Sequence, residues 1–222
     1  MTIVAGYHCP TTGQVWIGSD TRGCSSDGFI LPVRVPKIVA AGKWLIGCAG
    51  TALAAQIIER DNRMFGDCET PQEVANTLMD LLQMGGFKRD EDAEAPAYGQ
   101  TFVLASPDGV WGVAGDGYVA QPDDGFIACG SGQAYAYGAW TVMRDLLETG
   151  YEYLSPEIVV RCGVKAALRF DAFCGGDIDL RTPQGMVAAP APEPEPEPLV
   201  TAAEKRWLNP EDEAELHRRG LA

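Results

Sequence analysis

The 222 residues are 46% hydrophobic with a formal net charge of -14, enough apolar chain for one sizeable core but a poor partner for nucleic acid, because the 17 basic residues form no stripe. No run of about 18 apolar residues occurs and no basic stretch leads into an apolar block at the start, so neither a membrane span nor a leader is expected, and a cytoplasmic location is. The seven cysteines contain no C-x-x-C pair and read as reduced thiols, while His8 and His217 are too few and too far apart for a metal site, so no metal or cofactor is expected.

Residues 2–9 and 14–20 read as two strands around the turn Pro10-Thr11-Thr12-Gly13, and 36–40 and 44–48 as two more joined by Ala41-Gly42-Lys43. After Gly50 the period changes: Ala52, Leu53, Ala55, Ile57 and Ile58 recur at helical spacing. Thr70-Pro71-Gln72-Glu73 supplies the cap, proline and acid of a second helix that runs to about Met84 and stops at Gly85-Gly86. A charged surface loop is expected over 87–98, strands over 100–106 and 109–114, helices near 131–149 and 156–170, and a last strand over 177–181. Strands and helices grouped in blocks predict an α+β fold, two antiparallel sheets flanked by helix pairs in a four-layer αββα sandwich over 1–186. Residues 187–200 form a Pro/Glu-rich linker, and 201–222 a solvated tail with a short helix starting at Asn209-Pro210-Glu211.

Thr2 follows the initiator methionine and opens the apolar run Ile3-Val4-Ala5. Removal of Met1 would leave an α-amine beside the hydroxyl, a nucleophile and its base in one residue. Many chains begin Met-Thr for no chemical reason, so the weight lies on what accompanies it. Ser19-Asp20-Thr21-Arg22 ends the second strand, Pro36-Lys37-Ile38 opens the third, and Gly47-Cys48-Ala49-Gly50 leads from the fourth into a helix. Gly130-Ser131-Gly132 precedes the third helix, and Asp171-Ala172-Phe173-Cys174-Gly175-Gly176 follows the fourth. Each pattern alone has an ordinary explanation as a turn, a cap or a solvated lysine.

In this order they resemble the proteasome β-subunit family of N-terminal nucleophile hydrolases, including its HslV-type members and small phage or bacterial relatives. The resemblance runs from Thr2 to about Arg181. It implies that Thr2 is the catalytic threonine, that Asp20 and Lys37 are the acid and lysine beside it, and that Ser131 and Asp171 attend its amino group. It implies also that Arg22 pairs with the acidic cluster, and that Cys174 stands where many members have a serine, a stronger hydrogen-bonding group than a thiol. Gly50, or Thr51 one residue on, would offer the oxyanion N–H, and the strand edges at Thr21 and 47–51 would grip the substrate as an added strand. Ala49, with Val35 as a second wall, would line a pocket for a bulky apolar side chain.

The first hairpin is longer than the family's usual spacing, which admits a register with Met1 at the catalytic position; Gly6 matches a common glycine when Thr2 is used. The activity implied is that of a threonine endopeptidase acting on unfolded protein or peptide substrates inside a homo-oligomeric ring, with a ring ATPase unfoldase as a possible partner. A non-catalytic ring subunit or scaffold and an amidase acting on a small molecule are the alternatives.

Overall fold

The computed structural model describes residues 2–25, 29–90, 97–151 and 154–183. The expected linker over 187–200 and tail helix over 201–222 lie outside the described residues.

The predicted first hairpin forms from β1 (Val4–His8) and β2 (Val15–Asp20), with Val4 opposite Ser19. Its outer edges are filled by β10 (Phe126–Cys129), which pairs with β1, and β11 (Ile178–Arg181), which pairs with β2, giving the order β10-β1-β2-β11. The registers decide what meets at one end of this sheet. Val4 lies opposite Cys129, so Gly130-Ser131 follows beside Thr2, and Ile178 lies opposite Asp20, so the loop before it reaches the same corner. The second sheet runs in simple order through β5 (Ile38–Ala41), β6 (Trp44–Ala49), β7 (Thr101–Ser106), β8 (Gly109–Val113) and β9 (Val119–Ala120), all antiparallel.

Four α-helices complete the described residues. α1 (Ala52–Arg60) is capped by the Thr51 hydroxyl, and α2 (Pro71–Met84) by a reciprocal Thr70–Glu73 capping box, as its sequence predicts. α4 (Pro156–Phe170) starts behind a Ser155 cap. α3 (Gln133–Glu148) begins two residues later than expected, because the preceding turn is occupied in holding the carbonyl of Thr2: the Gly132 N–H donates to it at 3.2 Å. None of these helices is long and apolar enough to cross a membrane.

Apolar residues separate into three clusters by strand alternation. Ile57, Ile58, Leu78 and Leu82 of α1 and α2 pack on Trp44, Ile46, Phe102 and Leu104 of the second sheet. Trp140, Val160, Val164 and Ala167 of α3 and α4 pack on Ile3, Ala5, Phe126 and Leu180 of the first. The third cluster joins Val4, Val15 and Ile17 of the first sheet to Ile38, Leu45, Val103 and Val110 of the second. Alternation also corrects one expectation. Along β6, Trp44, Ile46 and Cys48 face the helices, whereas Leu45 and Ala49 face the first sheet, so the Ala49 side chain belongs to the core.

Four strands have no counterpart in the sequence reading: β9, β10 and the two strands of a short hairpin, β3 (Arg22–Cys24) and β4 (Ile30–Arg34). This hairpin rises from the end of β2 and presents Phe29, Ile30 and Val33 to solvent. A strand with its apolar side chains outward has no buried face to impose a period of two.

Candidate active site

Asp20 is the hub of the corner where the first sheet ends. Its side chain is fully buried, and four donors converge on it. Oδ1 accepts the Thr2 hydroxyl at 2.7 Å, the Ile3 N–H at 3.0 Å and Lys37 Nζ at 2.6 Å; Oδ2 accepts the Gly175 N–H at 3.1 Å. A carboxylate taken out of water keeps its charge only when its lone pairs are met in this way. Lys37, at the entry to β5, is likewise buried and makes the one ion pair Asp20 has among the described residues.

Thr2 is held from its other side by the turn after β10. Its backbone N–H donates to Ser131 Oγ at 3.2 Å, and its carbonyl accepts from the Ser131 hydroxyl at 3.3 Å. The turn can come this close because residue 130 is glycine: φ is +97°, and a Cβ there would lie 2.3 Å from the Thr2 carbonyl oxygen. Behind Ser131 stands Asp171, the C-cap of α4, whose carboxylate accepts the Phe173 N–H at 2.9 Å and the Cys174 thiol at 3.4 Å. Burial acts to raise the Asp171 pKa, but the Phe173 N–H and the Ser131 and Cys174 side chains together hold it below the ordinary carboxylate value. Cys174 itself is pushed up to about 12, first by burial and then by the nearby Asp20 and Asp171, so it is a thiol at neutral pH.

Arg22 takes a different place from the one its resemblance implies. Its guanidinium donates to the Ala172 carbonyl at 3.3 Å and lies flat on Gly175, where a Cβ would come within 2.1 Å of Cζ. With the Arg22 N–H donating to the Gly175 carbonyl at 2.9 Å, the residue clamps the loop whose Gly175 N–H supports Asp20. Its influence on the carboxylate therefore passes through the backbone.

Thr2 opens onto a cleft lined by Cys24, Leu31, Val35, Cys48, Ala52 and Ala55. Val35 is where the sequence places it, but the neighbouring wall is Cys48 and not Ala49. Gly50 and Thr51 border the same cleft. Thr51 N–H donates to Gln100 Oε1 at 3.0 Å, whereas the Gly50 N–H has no acceptor among the described residues. Of the two residues left open by the sequence, Gly50 is thus the one with a free donor.

Thr21 is not an open strand edge. Its N–H donates to the Asp177 carbonyl at 3.1 Å, its carbonyl accepts from Val35 at 2.9 Å, and its hydroxyl accepts from the Asp177 N–H at 2.9 Å. The free edge lies three residues on. Ser25 N–H bonds the Phe29 carbonyl, so by antiparallel alternation Cys24 and Ile30 form a pair without ladder bonds, and the Cys24 backbone groups point away from β4. Nothing in the residue type marks Cys24 in the sequence, and Gln100 reads there only as the start of a strand.

The sequence matches no protein-family profile and no curated protein. Solved structures do match its shape. Thiobacillus denitrificans BPH in complex with epoxomicin has a TM-score of 0.65 at 24% identity, over 81% of this chain and 96% of that one, and BPH without the compound gives the same figures. HslV from Trypanosoma brucei has a TM-score of 0.62 at 19% identity, over 82% of this chain and 98% of that one. The fold of this chain is the proteasome β-subunit-like fold of BPH and HslV.

Proposed function

We propose that the chain is a threonine-type peptidase of the N-terminal nucleophile class, active once Met1 is removed. The observation that carries this reading is the convergence of the Thr2 hydroxyl and the Lys37 ammonium on one buried oxygen of Asp20, with the Thr2 nitrogen directed at Ser131. A buried acid, lysine and threonine could serve stability alone, but they would then have no reason to stand at the mouth of a cleft.

With Met1 gone, the nitrogen that faces Ser131 becomes an α-amine, a group that titrates near pH 8. The amine takes the proton of the Thr2 hydroxyl as Oγ adds to the substrate carbonyl, and Lys37 stabilises the alkoxide character that develops on Oγ. The oxyanion forms against the Gly50 N–H. Collapse breaks the C–N bond, the proton held by the amine passes to the leaving nitrogen, and an ester to Thr2 remains. Water, deprotonated by the same amine, hydrolyses that ester and restores the hydroxyl. Ser131 and Asp171 orient the amine and stabilise its protonated form, Cys174 supports Asp171, and Arg22 holds the 172–175 loop under Asp20.

Substrate binds as an added strand between the free edge at Cys24 and the Gly50 turn, which places the side chain before the cut in the Cys48–Val35 cleft. The three core clusters support a four-layer αββα stack over 1–186, with residues from 187 onward as an appended linker and tail. An open peptidase site would endanger the cytoplasm around it, so the working form is a homo-oligomeric ring that encloses the sites and receives unfolded chains, with an ATPase ring as partner. Light scattering on the purified protein reads the assembly.

The test is substitution of the nucleophile. Thr2→Ala abolishes peptide hydrolysis while leaving fold and assembly intact, and Thr2→Ser, which keeps hydroxyl and amine, retains it. Hydrolysis by the Thr2→Ala protein would place the nucleophile elsewhere.

A further inference from the structure

The geometry points to Gln100 as a positioning residue that sets the direction of the Gly50 N–H; this role rests on the peptidase reading above. The turn from β6 into α1 hinges on a glycine with φ of +133°, a conformation from which the flanking peptide planes can flip at little cost. Two bonds restrain the turn. The Thr51 hydroxyl is engaged by the Leu53 N–H at 3.1 Å as the cap of α1, and the Thr51 N–H is engaged by Gln100 Oε1 at 3.0 Å. The second bond fixes the plane between Gly50 and Thr51; the Gly50 N–H lies in the preceding plane, whose Ala49 end is held in β6 opposite Thr101, so with both ends of the glycine restrained its φ and ψ cannot rotate freely and the N–H keeps one direction toward the cleft.

Gln100 is built for this task. It is buried, and it spends a side-chain acceptor on a turn 49 residues away in sequence. Its amide fills the space beneath Gly50 so closely that a Cβ on that glycine would lie 2.2 Å from Oε1 and 2.6 Å from Cδ. The backbone carrying it is anchored on both sides: Thr101 lies opposite Ala49 in the sheet, and the buried Tyr98 bonds the Gly115 carbonyl at 2.9 Å. A side chain fixed in this way behaves as a strut under the turn, and a donor aimed at a developing charge loses its effect when misplaced by about an ångström.

The test compares Gln100→Met, of similar length but without the acceptor, with Gln100→Glu, which keeps an acceptor oxygen. Hydrolysis of a fluorogenic peptide and hydrogen exchange of the segment holding Thr51 are read on the assembled, Met1-processed protein. In Gln100→Met we expect kcat to fall about 10- to 100-fold with KM within about twofold, and Thr51 exchange to accelerate about tenfold or more, with an unchanged melting temperature. Gln100→Glu restores slow exchange at Thr51. An active wild type with unchanged kcat in Gln100→Met, or a loss of kcat without faster exchange at Thr51, overturns this role alone. A wild type that hydrolyses nothing overturns the peptidase reading and this role with it.

Discussion

The Thr2 hydroxyl donates to Asp20 Oδ1 at 2.7 Å, and the same oxygen carries Lys37 at 2.6 Å. One buried carboxylate oxygen thus ties the chain's second residue to a lysine on the other sheet. Removing the lysine alone leaves that carboxylate without a countercharge. Lys37→Ala should lower unfolding free energy by about 3–5 kcal/mol and abolish hydrolysis. The double change Asp20→Asn with Lys37→Met removes both charges, although the Asn amide must then face one of the backbone N–H groups of Ile3 and Gly175, and should recover part of the stability with none of the activity. Denaturant titration and peptide hydrolysis on the same samples separate the two effects; a double variant as unstable as Lys37→Ala would show that the charge pair is not what matters.

Cys48 lines the cleft beside Thr2. Cys48→Leu fills that space and should raise KM about tenfold or more for peptides with a large apolar residue before the cut, while peptides with alanine there are spared. Cys48→Ala should move preference the other way. A parallel shift for both substrates in either variant would place the specificity pocket elsewhere.

Alkaline stability follows from the buried thiols. Burial lifts Cys129 from an ordinary value of 9.0 to about 12, and Cys48 is pushed in the same direction. Above pH 9.0 the unfolded chain therefore loses protons that the native chain keeps, so native stability is fully present below that pH and declines above it. Each such thiol contributes a slope of at most about 1.4 kcal/mol per pH unit. Unfolding free energies measured from pH 8 to 11 should fall more steeply for wild type than for Cys129→Ala, whatever offset the smaller side chain introduces. Equal slopes would contradict the assignment.

How far the sequence could be read follows from these residues. Thr2, Asp20 and Lys37 lie at the ends of strands whose buried pattern and turns are strong, and the order of their motifs carries the resemblance that implies they meet. The Gly130-Ser131-Gly132 motif marks Ser131, but β10, the strand that delivers it, is only four residues between glycines and carries too little pattern. Ala49 reads as a pocket wall in the sequence because β6 is buried on both faces, and a strand apolar throughout does not reveal which alternate residue faces which side. Thr21 reads as a substrate edge for a related reason: its hydrogen-bond groups are used by Asp177 and Val35, partners that only the assembled sheet brings near. Gln100 carried no signal, since its partner Thr51 is joined to it only by the pairing of β6 with β7.

Everything in the proposed reaction depends on a free amine at Thr2. The most direct measurement is intact and peptide mass analysis of the assembled protein before and after exposure to epoxomicin, the compound bound in the BPH structure whose fold this chain shares. An epoxyketone needs both the hydroxyl and the amine of an N-terminal threonine. The account predicts a mass lacking Met1, followed by addition of one compound per chain at Thr2. Met1 retained in a protein that still cleaves peptides, or an adduct on any other residue, would contradict it.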